Sequence, residues 1–600
     1  MAAPSRGVEL NRTARAVPGE PATPARIQPL AASVANAIAA GEVIERPASV
    51  VKELVENSLD AGASRITVEI EGGGIEMIRV VDDGGGMPAA DLSLALRRHA
   101  TSKLSEISDL ARIATFGFRG EALASVAAVA RVILTSRESH ARAGARLEAQ
   151  GDQVGLVTPV GAPPGTAVEV RGLFQNVPAR RAFLRSQRSE AAWCLRVASE
   201  AALGRPDVRF EVRSGGRRVL GTPGGARLTE AAREVLGREV ASQLIPVNWV
   251  SGPIVVVGLI GPPGVAQASR SSMLLMVNGR RVHQRALMAA VEGAYRGLVE
   301  VGRHPRAVLD IRCDPEAVDV NVHPTKREVR IQDEGQFFDT VQRACWEALR
   351  DTRPAGLVLS PEVGGLAPRS EAVRSQIHWD SPPGQTEEFE LLRDELPGPN
   401  QISSLAGAGL WRYLGQAHNR YLVVETESGL ALLDQHAAHE KVLYARVLAE
   451  LAKRGEARQM PGQGLLTPLL LDVGPLVVAG LAASGDLFRI TGFDLEVFGT
   501  GTVRCSAVPI GTRLSELPQL LREVLGEGIA EREGPARRHQ LAASVACHSA
   551  IRFGDPVSPE EVDALLGDLA ATPGGITCPH GRPAVLMLSE VQLLSAFRRH

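Results

Sequence analysis

The clearest hydrophobic pattern in the chain lies between Pro47 and Gly62. Its apolar positions recur at helical spacing and share one face: Val51, Leu54, Val55 and Leu59. Because proline is tolerated in a first helical turn and glycine commonly follows a last one, the pattern predicts a helix between these two residues. Glu53, Asn57 and Asp60 fall on the opposite side. Such a face is most often only solvated, but a glutamate one turn before an asparagine also offers a general base beside an oxygen ligand for Mg²⁺.

Two strand patterns follow this helix. Residues 65–70 alternate between polar and apolar positions, three glycines make a turn, and residues 75–81 have the pattern of a second strand. The second strand leads directly into Asp82, with glycines that include Gly84 and Gly86 behind it. Glycine lets a backbone approach a ligand closely, so the sequence predicts an acidic side chain beside a ligand-binding loop.

Two more polar segments come next. Residues 91–98 predict a short helix that leads into the polar segment 99–103. Glycines at 117 and 120 precede a helix that is predicted to start near Glu121. A glycine-rich turn at a helix N-terminus points backbone N–H groups at an anion, which makes it a natural phosphate cradle. Either segment taken alone also fits an ordinary loop. Residues 163–170 predict a turn that feeds a strand.

The remaining chain divides by composition. A second unit is predicted from about 221 to 350. It has strands at 255–260, 273–277 and 307–311, a tight turn at Asn278-Gly279 and a helix at 286–295. Its last segment, 319–330, alternates like a strand and breaks at Pro324. Residues 351–405 are rich in proline, locally acidic and without apolar period, which predicts a flexible linker. We therefore expect a disordered extension over 1–26, a first domain over 27–220, a second over 221–350 and a last over 406–600.

The last domain carries a set of possible metal ligands. Residues 413–424 and 429–434 predict a hairpin, and Asp434 suits the N-cap of the helix that follows. His436 and Glu440 lie four positions apart and so share one helical face, as metal ligands on a helix must. Far downstream come two cysteines and a histidine: Cys547, Cys578 and His580. Buried structural cysteine is common, but together these groups form a credible nitrogen, oxygen and sulfur set for Zn²⁺ or Mn²⁺.

Composition restricts the function classes. A chain of 600 residues predicts several domains, and a formal charge of −2 means that any contact with nucleic acid must come from local patches. The six cysteines form no disulfide framework, which favours a reducing compartment. Residues 1–26 lack the apolar centre of a signal peptide, and the most apolar stretch, 465–483, is interrupted by proline and aspartate. We expect a cytoplasmic protein without membrane segments.

The first domain resembles a known ATPase family. The glutamate and asparagine helix, the strand and the Asp-x-Gly-x-Gly loop resemble the ATP site of the gyrase, heat-shock chaperone, histidine-kinase and MutL ATPases, and residues 38–62 most resemble the MutL mismatch-repair family. This resemblance implies that Glu53 is the catalytic base and that Asn57 binds Mg²⁺. The residues that it implies for ATP are Asn57, Asp82, Gly84, Gly86, Thr101, Ser102, Lys103, Gly117, Phe118, Arg119, Gly120, Glu121 and Thr166, with Lys326 from a transducer domain.

The last domain resembles the nuclease-type C-terminal domain of the same family. Its Asp-Gln-His-Ala-x-x-Glu-x4-Glu pattern matches from Asp434 to Glu440, but the final glutamate is Ala445 here. The resemblance implies that Asp434 is catalytic and that the metal ligands are His436, Glu440, Cys547, Cys578 and His580. The fold it implies is α/β and multidomain: an ATPase α/β sandwich, an α/β transducer domain, a linker and an α/β dimerisation and nuclease domain.

The resemblance also implies partners. These are DNA bound without sequence preference, a second copy of the chain, the mismatch-recognition protein MutS and the replicative sliding clamp, with association with the nucleoid during repair. Residues 463–469 resemble a clamp-docking peptide, and a core strand edge fits them as well. The candidate phosphate contacts are two arginine clusters, although such clusters are most often solubilising surface: Arg180, Arg181, Arg185 and Arg188, then Arg280, Arg281 and Arg285.

Three functions are candidates for a protein with this ATP-site resemblance. The first is an ATP-switched mismatch-repair protein with a metal-dependent DNA-nicking domain. The second is an ATP-gated matchmaker that recruits other repair proteins and cuts nothing, which the departure at Ala445 keeps open. The third, a type II topoisomerase, needs a nucleophilic tyrosine, and none of the four tyrosines of the chain lies in such a context. A chaperone would leave the C-terminal cluster unexplained.

Overall fold

The computed structural model of the chain describes most of the segments with predicted structure. The described residues are 44–103, 106, 115–117, 120–151, 153–225, 227–267, 269–296, 298–299, 303–319, 329–350, 411–452, 459–514, 517, 520–521, 534–552, 554–572, 578 and 584–597. The predicted extension 1–26 and linker 351–405 lie outside this set.

The predicted glutamate and asparagine helix is confirmed as α1, Pro47–Asp60. It starts with proline in its first turn and ends before Gly62, whose φ of 71° suits glycine. Its predicted apolar face is buried: Val51, Leu54, Val55 and Leu59. Fully burying a side chain of this size contributes about 1.5–3 kcal/mol, so this face holds the helix against the sheet while the polar face stays available.

The first unit is a mixed sheet covered by helices. Its strands are β1 Arg65–Glu71, β2 Met77–Asp82, β3 Arg131–Arg137, β4 Gly144–Gln150, β5 Gln153–Val154, β6 Thr158–Val160, β7 Gly165–Arg171, β8 Arg209–Ser214 and β9 Arg217–Gly221. Its helices, with the two that follow the sheet, are α1, α2 Leu92–Ala95, α3 Ala122–Val129, α4 Pro178–Ala182, α5 Gln187–Gly204, α6 Leu228–Leu236 and α7 Arg238–Gln243. The strand order is β5-β4-β3-β7-β2-β1-β8-β9, with β6 paired to β4. This order places β2 and β7 side by side, with Asp82 opposite Thr166.

The second unit is a sheet of five described strands in the order β10-β11-β14-β12-β13. Its elements are β10 Ile245–Ser251, β11 Ile254–Ile260, β12 Met273–Val277, β13 Arg280–Val282, α8 Arg285–Ala294, β14 Ala307–Arg312, β15 Val318–Asp319, β16 Arg330–Ile331 and α9 Glu334–Arg350. Short 3-10 turns also occur in both units, one of them directly before α2 and the others in loops. The predicted tight turn joins β12 to β13: Asn278 and Gly279 have φ of 50° and 76°, as this kind of hairpin turn requires.

The third unit has two sheets. One has the order β17-β18-β19-β23 and the other β20-β22-β21. Its elements are β17 Arg412–Ala417, β18 Tyr421–Thr426, β19 Gly429–Asp434, α10 Gln435–Ala452, β20 Gly462–Asp472, α11 Pro475–Ile490, β21 Asp494–Val497, β22 Thr502–Pro509, α12 Gly534–Ser549, α13 Pro559–Ala571, β23 Val585–Ser589 and α14 Glu590–Ala596.

One predicted strand of the third unit is wrong. The continuous strand expected over 413–424 is broken by a turn at His418 and Asn419, whose φ values are 53° and 50°. Asparagine adopts this left-handed backbone region more readily than most residues, so the chain reverses there and makes β17 and β18. The predicted hairpin is therefore two successive hairpins. The α/β multidomain class is confirmed.

Candidate functional site

The polar face of α1 lines a large cavity in the first unit. The cavity has a volume of about 890 Å³, within the size range of small-molecule sites. The predicted site residues that line it are Glu53, Asn57, Asp82, Gly86, Thr101, Ser102, Lys103, Gly117, Gly120, Glu121 and Thr166. Apolar side chains of α1, β2 and β7 complete its wall: Leu54, Val80 and Val168. Segments that are far apart in sequence thus meet at one place.

Asp82 is a buried carboxylate in the cavity wall. Its Oδ2 accepts a hydrogen bond from the Ser58 hydroxyl at 2.8 Å, and its Oδ1 accepts from the Gly84 and Thr166 backbone N–H groups at 3.0 and 3.2 Å. Burial raises the pKa of Asp82 above its ordinary value, although these hydrogen bonds act in the opposite direction. The carboxylate is therefore held in one orientation at the cavity wall. Sequence reasoning missed Ser58, whose only indication was its place directly after Asn57.

The glycine-rich loop is shaped by close backbone contacts. Gly86 has a φ of 73°, and a Cβ there would lie 2.2 Å from the Arg137 carbonyl oxygen. At Gly84 a Cβ would lie 2.8 Å from the Ala61 carbonyl oxygen. Only glycine fits such approaches, so the loop passes close to the end of α1 and to β3. Gly84 contributes to the site through its hydrogen bond to Asp82, and Gly86 through the cavity lining.

The Lys103 ammonium group is hydrogen-bonded to Asn57, the predicted metal ligand. The Lys103 ammonium group donates to Asn57 Oδ1 at 3.1 Å and to Asp60 Oδ2 at 2.5 Å. Asp60 also accepts the backbone N–H groups of Phe116 and Gly117 at 2.8 and 2.9 Å. The Asn57 side-chain oxygen thus faces the cavity in an orientation that binds a positive charge. This arrangement fits the oxygen ligand that Mg²⁺ prefers.

Glu53 has a charged neighbour on its own helix. Lys52 lies 3.2 Å from a Glu53 carboxylate oxygen and 3.1 Å from one of Glu56. Burial lowers the pKa of Lys52, but the two carboxylates outweigh it and the net direction is upward. Lys52 is therefore a cation beside the predicted general base.

The phosphate-cradle residues lie at the start of α3. Glu121 precedes this eight-residue helix and faces His99 at 3.2 Å. Gly120 has a φ of 63°, which suits its place in the turn. The Thr166 hydroxyl is 2.9 Å from that of Ser136, which fixes Thr166 at the opposite wall. Three predicted site residues, Phe118, Arg119 and Lys326, lie outside the described residues and stay predictions.

The possible metal ligands of the third unit are partly brought together by α10. Asp434 is the predicted N-cap, because its Oδ1 accepts the Ala437 N–H at 2.9 Å. The His436 Nδ1 lies 2.9 Å from the Ile551 carbonyl oxygen, which makes this nitrogen the donor and orients the ring. Glu440 is buried on the same helix.

The cysteines complete no metal centre among the residues that the structure describes. Cys547 on α12 is partly exposed and Cys578 is buried, while His580 lies outside the described residues. Within the described part of the chain, no three histidine, cysteine, aspartate or glutamate side chains are grouped so that they could hold a metal ion. The described residues alone therefore do not fit a Zn²⁺ or Mn²⁺ centre, and we derive no catalytic step through such a metal.

The two arginine clusters that were expected to contact DNA phosphate are only partly exposed. Arg181, Arg188 and Arg285 are exposed, as phosphate contacts must be. Arg280, however, is buried and donates to backbone carbonyl groups, and Arg281 is bound to a glutamate of α5. The prediction that Arg280 contacts DNA phosphate is therefore wrong, because a buried guanidinium cannot reach a phosphate backbone.

Two further sequence expectations concern surfaces. Residues 463–469 lie in β20, at the edge of its sheet, and Leu466 is fully exposed there. The segment is therefore a strand edge, but none of its residues is buried in the core, and clamp docking stays a prediction. Among the described residues no helix is long and apolar enough to cross a membrane.

Three family models match consecutive parts of the chain. The model described as histidine kinase-, DNA gyrase B-, and HSP90-like ATPase matches residues 44–152. The model of the DNA mismatch repair protein, C-terminal domain, matches 232–350, and that of the MutL C terminal dimerisation domain matches 414–557. The first unit is therefore an ATPase domain.

Similar proteins cover nearly the whole chain. A DNA mismatch repair protein MutL of Symbiobacterium thermophilum is 38% identical over 96% of this chain and 100% of its own length. A second, from Anaeromyxobacter sp. (strain K), is 41% identical over 95% of this chain and 98% of its own. A solved Aquifex aeolicus MutL ATPase domain complexed with ADP is 29% identical, covers 46% of this chain and 94% of that chain, and has a TM-score of 0.35. The assignment rests on the first two, and the chain belongs to the MutL family of DNA mismatch repair proteins.

Proposed function

We propose that the chain is an ATP-operated switch of mismatch repair in which Glu53 and Asn57 carry out ATP hydrolysis. The observation that supports this most is the shared cavity: Glu53, Asn57, Asp82 and the turn before α3 all face one space of nucleotide size. The purine would lie against the apolar wall, with its exocyclic amino group donating to the Asp82 carboxylate. The phosphates would lie toward the turn at Gly117 and Gly120 and the N-terminus of α3, whose first-turn N–H groups suit anions.

Glu53 acts as the general base in this proposal. It would accept the proton of the water that attacks the terminal phosphate, and Lys52 would stabilise its ionised form between turnovers. Asn57 would hold Mg²⁺, which neutralises charge on the phosphate oxygens when bound. Because the Lys103 ammonium occupies Asn57 Oδ1 in this conformation, Lys103 must leave that oxygen before a metal ion binds there.

Other contacts with the nucleotide are assigned by the resemblance. Thr101, Ser102 and Lys103 would belong to a lid over the phosphates, together with Phe118 and Arg119. Lys326 would come from the second unit to the terminal phosphate. ATP binding would close the lid and bring the N-terminal units of two chains together. The domain limits at 220, 350 and 405 are part of the same proposal.

The partners follow from membership of the family. The third unit matches a dimerisation domain, which supports a homodimer held together by its C-terminal halves. DNA would bind without sequence preference through exposed arginines such as Arg181, Arg188 and Arg285, so affinity should fall steeply with salt. MutS is the expected source of the mismatch signal, and the exposed edge of β20 is the candidate contact for the sliding clamp. Such a protein would act in the cytoplasm, at the nucleoid.

The second activity that we propose is metal-dependent DNA nicking by the third unit. It is supported by the Asp434 to Glu440 sequence at the start of α10 and by the hydrogen bond that orients His436. The competing function is a matchmaker without nuclease activity. Ala445, in place of the final glutamate of the pattern, keeps this function open. The two are separated by whether Mn²⁺ lets the purified chain nick plasmid DNA.

The ATP-site assignment is tested by two variants. Glu53→Ala should bind ATP normally but lose hydrolysis by about 10²–10⁴-fold, the usual effect of losing a general base. Asn57→Ala should lose Mg²⁺-dependent binding of the nucleotide itself. Equilibrium binding of a non-hydrolysable ATP analogue, measured beside steady-state turnover, distinguishes the two effects. Turnover at the wild-type rate by Glu53→Ala would refute the assignment of the base.

A further inference from the structure

Arg280 is a buried arginine with an unusual set of partners. Its side chain is 8% exposed, and its two terminal nitrogens donate to the carbonyl oxygens of Thr115 at 2.6 Å and Phe116 at 3.1 Å. Its guanidinium carbon also lies 5.8 Å from the centre of the Phe116 ring. A buried charge is costly unless it is hydrogen-bonded, so these contacts hold Arg280 in place. They join the second unit to the first, at the segment that leads into the phosphate turn.

The hairpin that carries Arg280 is fixed to the second unit. The Gly279 N–H donates to Asp310 Oδ1 on β14 at 2.8 Å, and the Asn278 side-chain oxygen accepts the Cys313 N–H at 2.9 Å. Strand β12 also pairs with β14 in the middle of the sheet. A displacement of this sheet would therefore displace the Arg280 side chain with it.

The same short segment is held from the other side by α1. Asp60 accepts the N–H groups of Phe116 and Gly117, while Arg280 donates to the carbonyl groups of Thr115 and Phe116. The peptide groups on both sides of Phe116 are thus clamped between one carboxylate and one guanidinium. Asp60 in turn binds Lys103, which lies on Asn57. One chain of contacts therefore connects the second unit to the predicted metal ligand.

We infer that Arg280 is a positioning residue for ATP binding, acting through the segment Thr115–Gly117. By fixing this segment it holds Gly117, which lines the proposed nucleotide cavity together with Gly120 and Glu121. It also makes the geometry of the phosphate site depend on the position of the second unit. The inference rests on the proposed placement of the phosphates, since Arg280 itself lines a separate cavity of about 80 Å³ and not the nucleotide cavity.

The test is the ATP dependence of turnover in the full-length Arg280→Ala variant. We expect KM for ATP to rise about tenfold or more, because displacement of this segment should cost at least one hydrogen bond to a charged phosphate group, and one such bond corresponds to about a factor of ten in binding. Arg280→Lys should recover part of this loss, since one ammonium group can reach one of the two carbonyls. Added methylguanidine, which can enter the space left by the side chain, should lower the KM of Arg280→Ala and leave that of the wild type unchanged.

Arg270→Ala is the matched control. Arg270 also makes two hydrogen bonds, at 2.7 and 3.0 Å, but to Glu292 on the exposed surface of the second unit. Its KM should equal that of the wild type. The number of nucleotide sites per chain, titrated with labelled ADP, should be one in every variant. A merely structural role for Arg280 would lower this number while KM stayed constant, and that result would overturn the inference.

Failure of the proposed function has a different signature. If the phosphate and base assignments are wrong, Glu53→Ala will hydrolyse ATP like the wild type, whatever Arg280→Ala does. If they are right and the inference is wrong, Glu53→Ala will be inactive while Arg280→Ala keeps the wild-type KM. Both variants are measured in the same assay.

Discussion

Replacing Asp82 by asparagine should separate its two roles, in stability and in purine recognition. Asparagine keeps an oxygen acceptor for the Gly84 and Thr166 N–H groups, and its amide group can donate to the Ser58 oxygen. Ser58 can then donate to the Leu54 carbonyl oxygen, which already lies 3.1 Å away. Since the hydrogen bonds are all retained and a buried charge is removed, we expect stability to change by no more than about 1 kcal/mol.

Replacing Asp82 by alanine should have a larger effect on stability. The Gly84 and Thr166 N–H groups both lose this acceptor, and leaving a buried donor unsatisfied costs about 1–3 kcal/mol each. Ser58 is spared because the Leu54 carbonyl remains available. We therefore expect Asp82→Ala to lose about 2–6 kcal/mol, beyond the change in the asparagine variant.

ATP binding should weaken in Asp82→Asn although its stability hardly changes. Asparagine presents an N–H group where the purine amino group needs an acceptor, so affinity should fall about 10- to 150-fold, the equivalent of about 1.5–3 kcal/mol. Inosine triphosphate, which has an oxygen at this purine position, should lose much less. The preference for ATP over inosine triphosphate should therefore shrink or reverse in Asp82→Asn.

The pH dependence has a definite sign. The pKa of Asp82 is raised by burial, so the folded chain holds this proton more tightly than the unfolded chain does. The contribution of this group to stability is present below its unfolded pKa of about 3.9 and is lost as pH rises through the raised value. Asp82→Asn lacks this loss, so its stability relative to the wild type should increase with pH over that interval.

Hydrogen exchange of β2 peptides under increasing urea reads the stability of the first unit separately from the rest of the chain. Calorimetric titration with ATP and with inosine triphosphate measures the affinity for each nucleotide. The reasoning is refuted if Asp82→Asn is destabilised as much as Asp82→Ala, because the hydrogen-bond exchange with Ser58 would then not occur. It is refuted equally if Asp82→Asn keeps its preference for ATP, because Asp82 would then not read the purine.

Two further predictions concern the third unit. His439 accepts the Ile551 N–H on Nδ1 at 3.0 Å, and burial lowers its pKa. The contribution of His439 to stability is therefore present above its unfolded pKa of about 6.5 and is lost as pH falls through the lower folded value. Hydrogen exchange of α10 peptides should accelerate on acidification in the wild type and less so in His439→Gln. Asp434→Asn, which keeps an oxygen to cap α10, should abolish Mn²⁺-dependent nicking of supercoiled plasmid and leave ATP hydrolysis unchanged. A wild-type chain that never nicks plasmid would leave the matchmaker function in its place.

The sequence by itself determined the elements whose evidence is local. Helix α1 follows from apolar spacing, an initial proline and a final glycine, all within 16 positions of each other. The hairpin turn at Asn278 and Gly279 follows from two residues that tolerate positive φ. The turn at His418 and Asn419 was missed because its flanking apolar residues continue a strand pattern across it.

The tertiary structure decided which distant groups meet. Thr166 binds Asp82 because β2 pairs with β7, and Ser58 binds it because α1 packs beside β2; no spacing in the sequence specifies either contact. In the same way Arg280 has the sequence context of a surface arginine, and only the packing of its hairpin on the first unit buries it. Periodicity indicates which face of an element is buried, but the way in which the elements pack determines which polar side chains from separate segments meet.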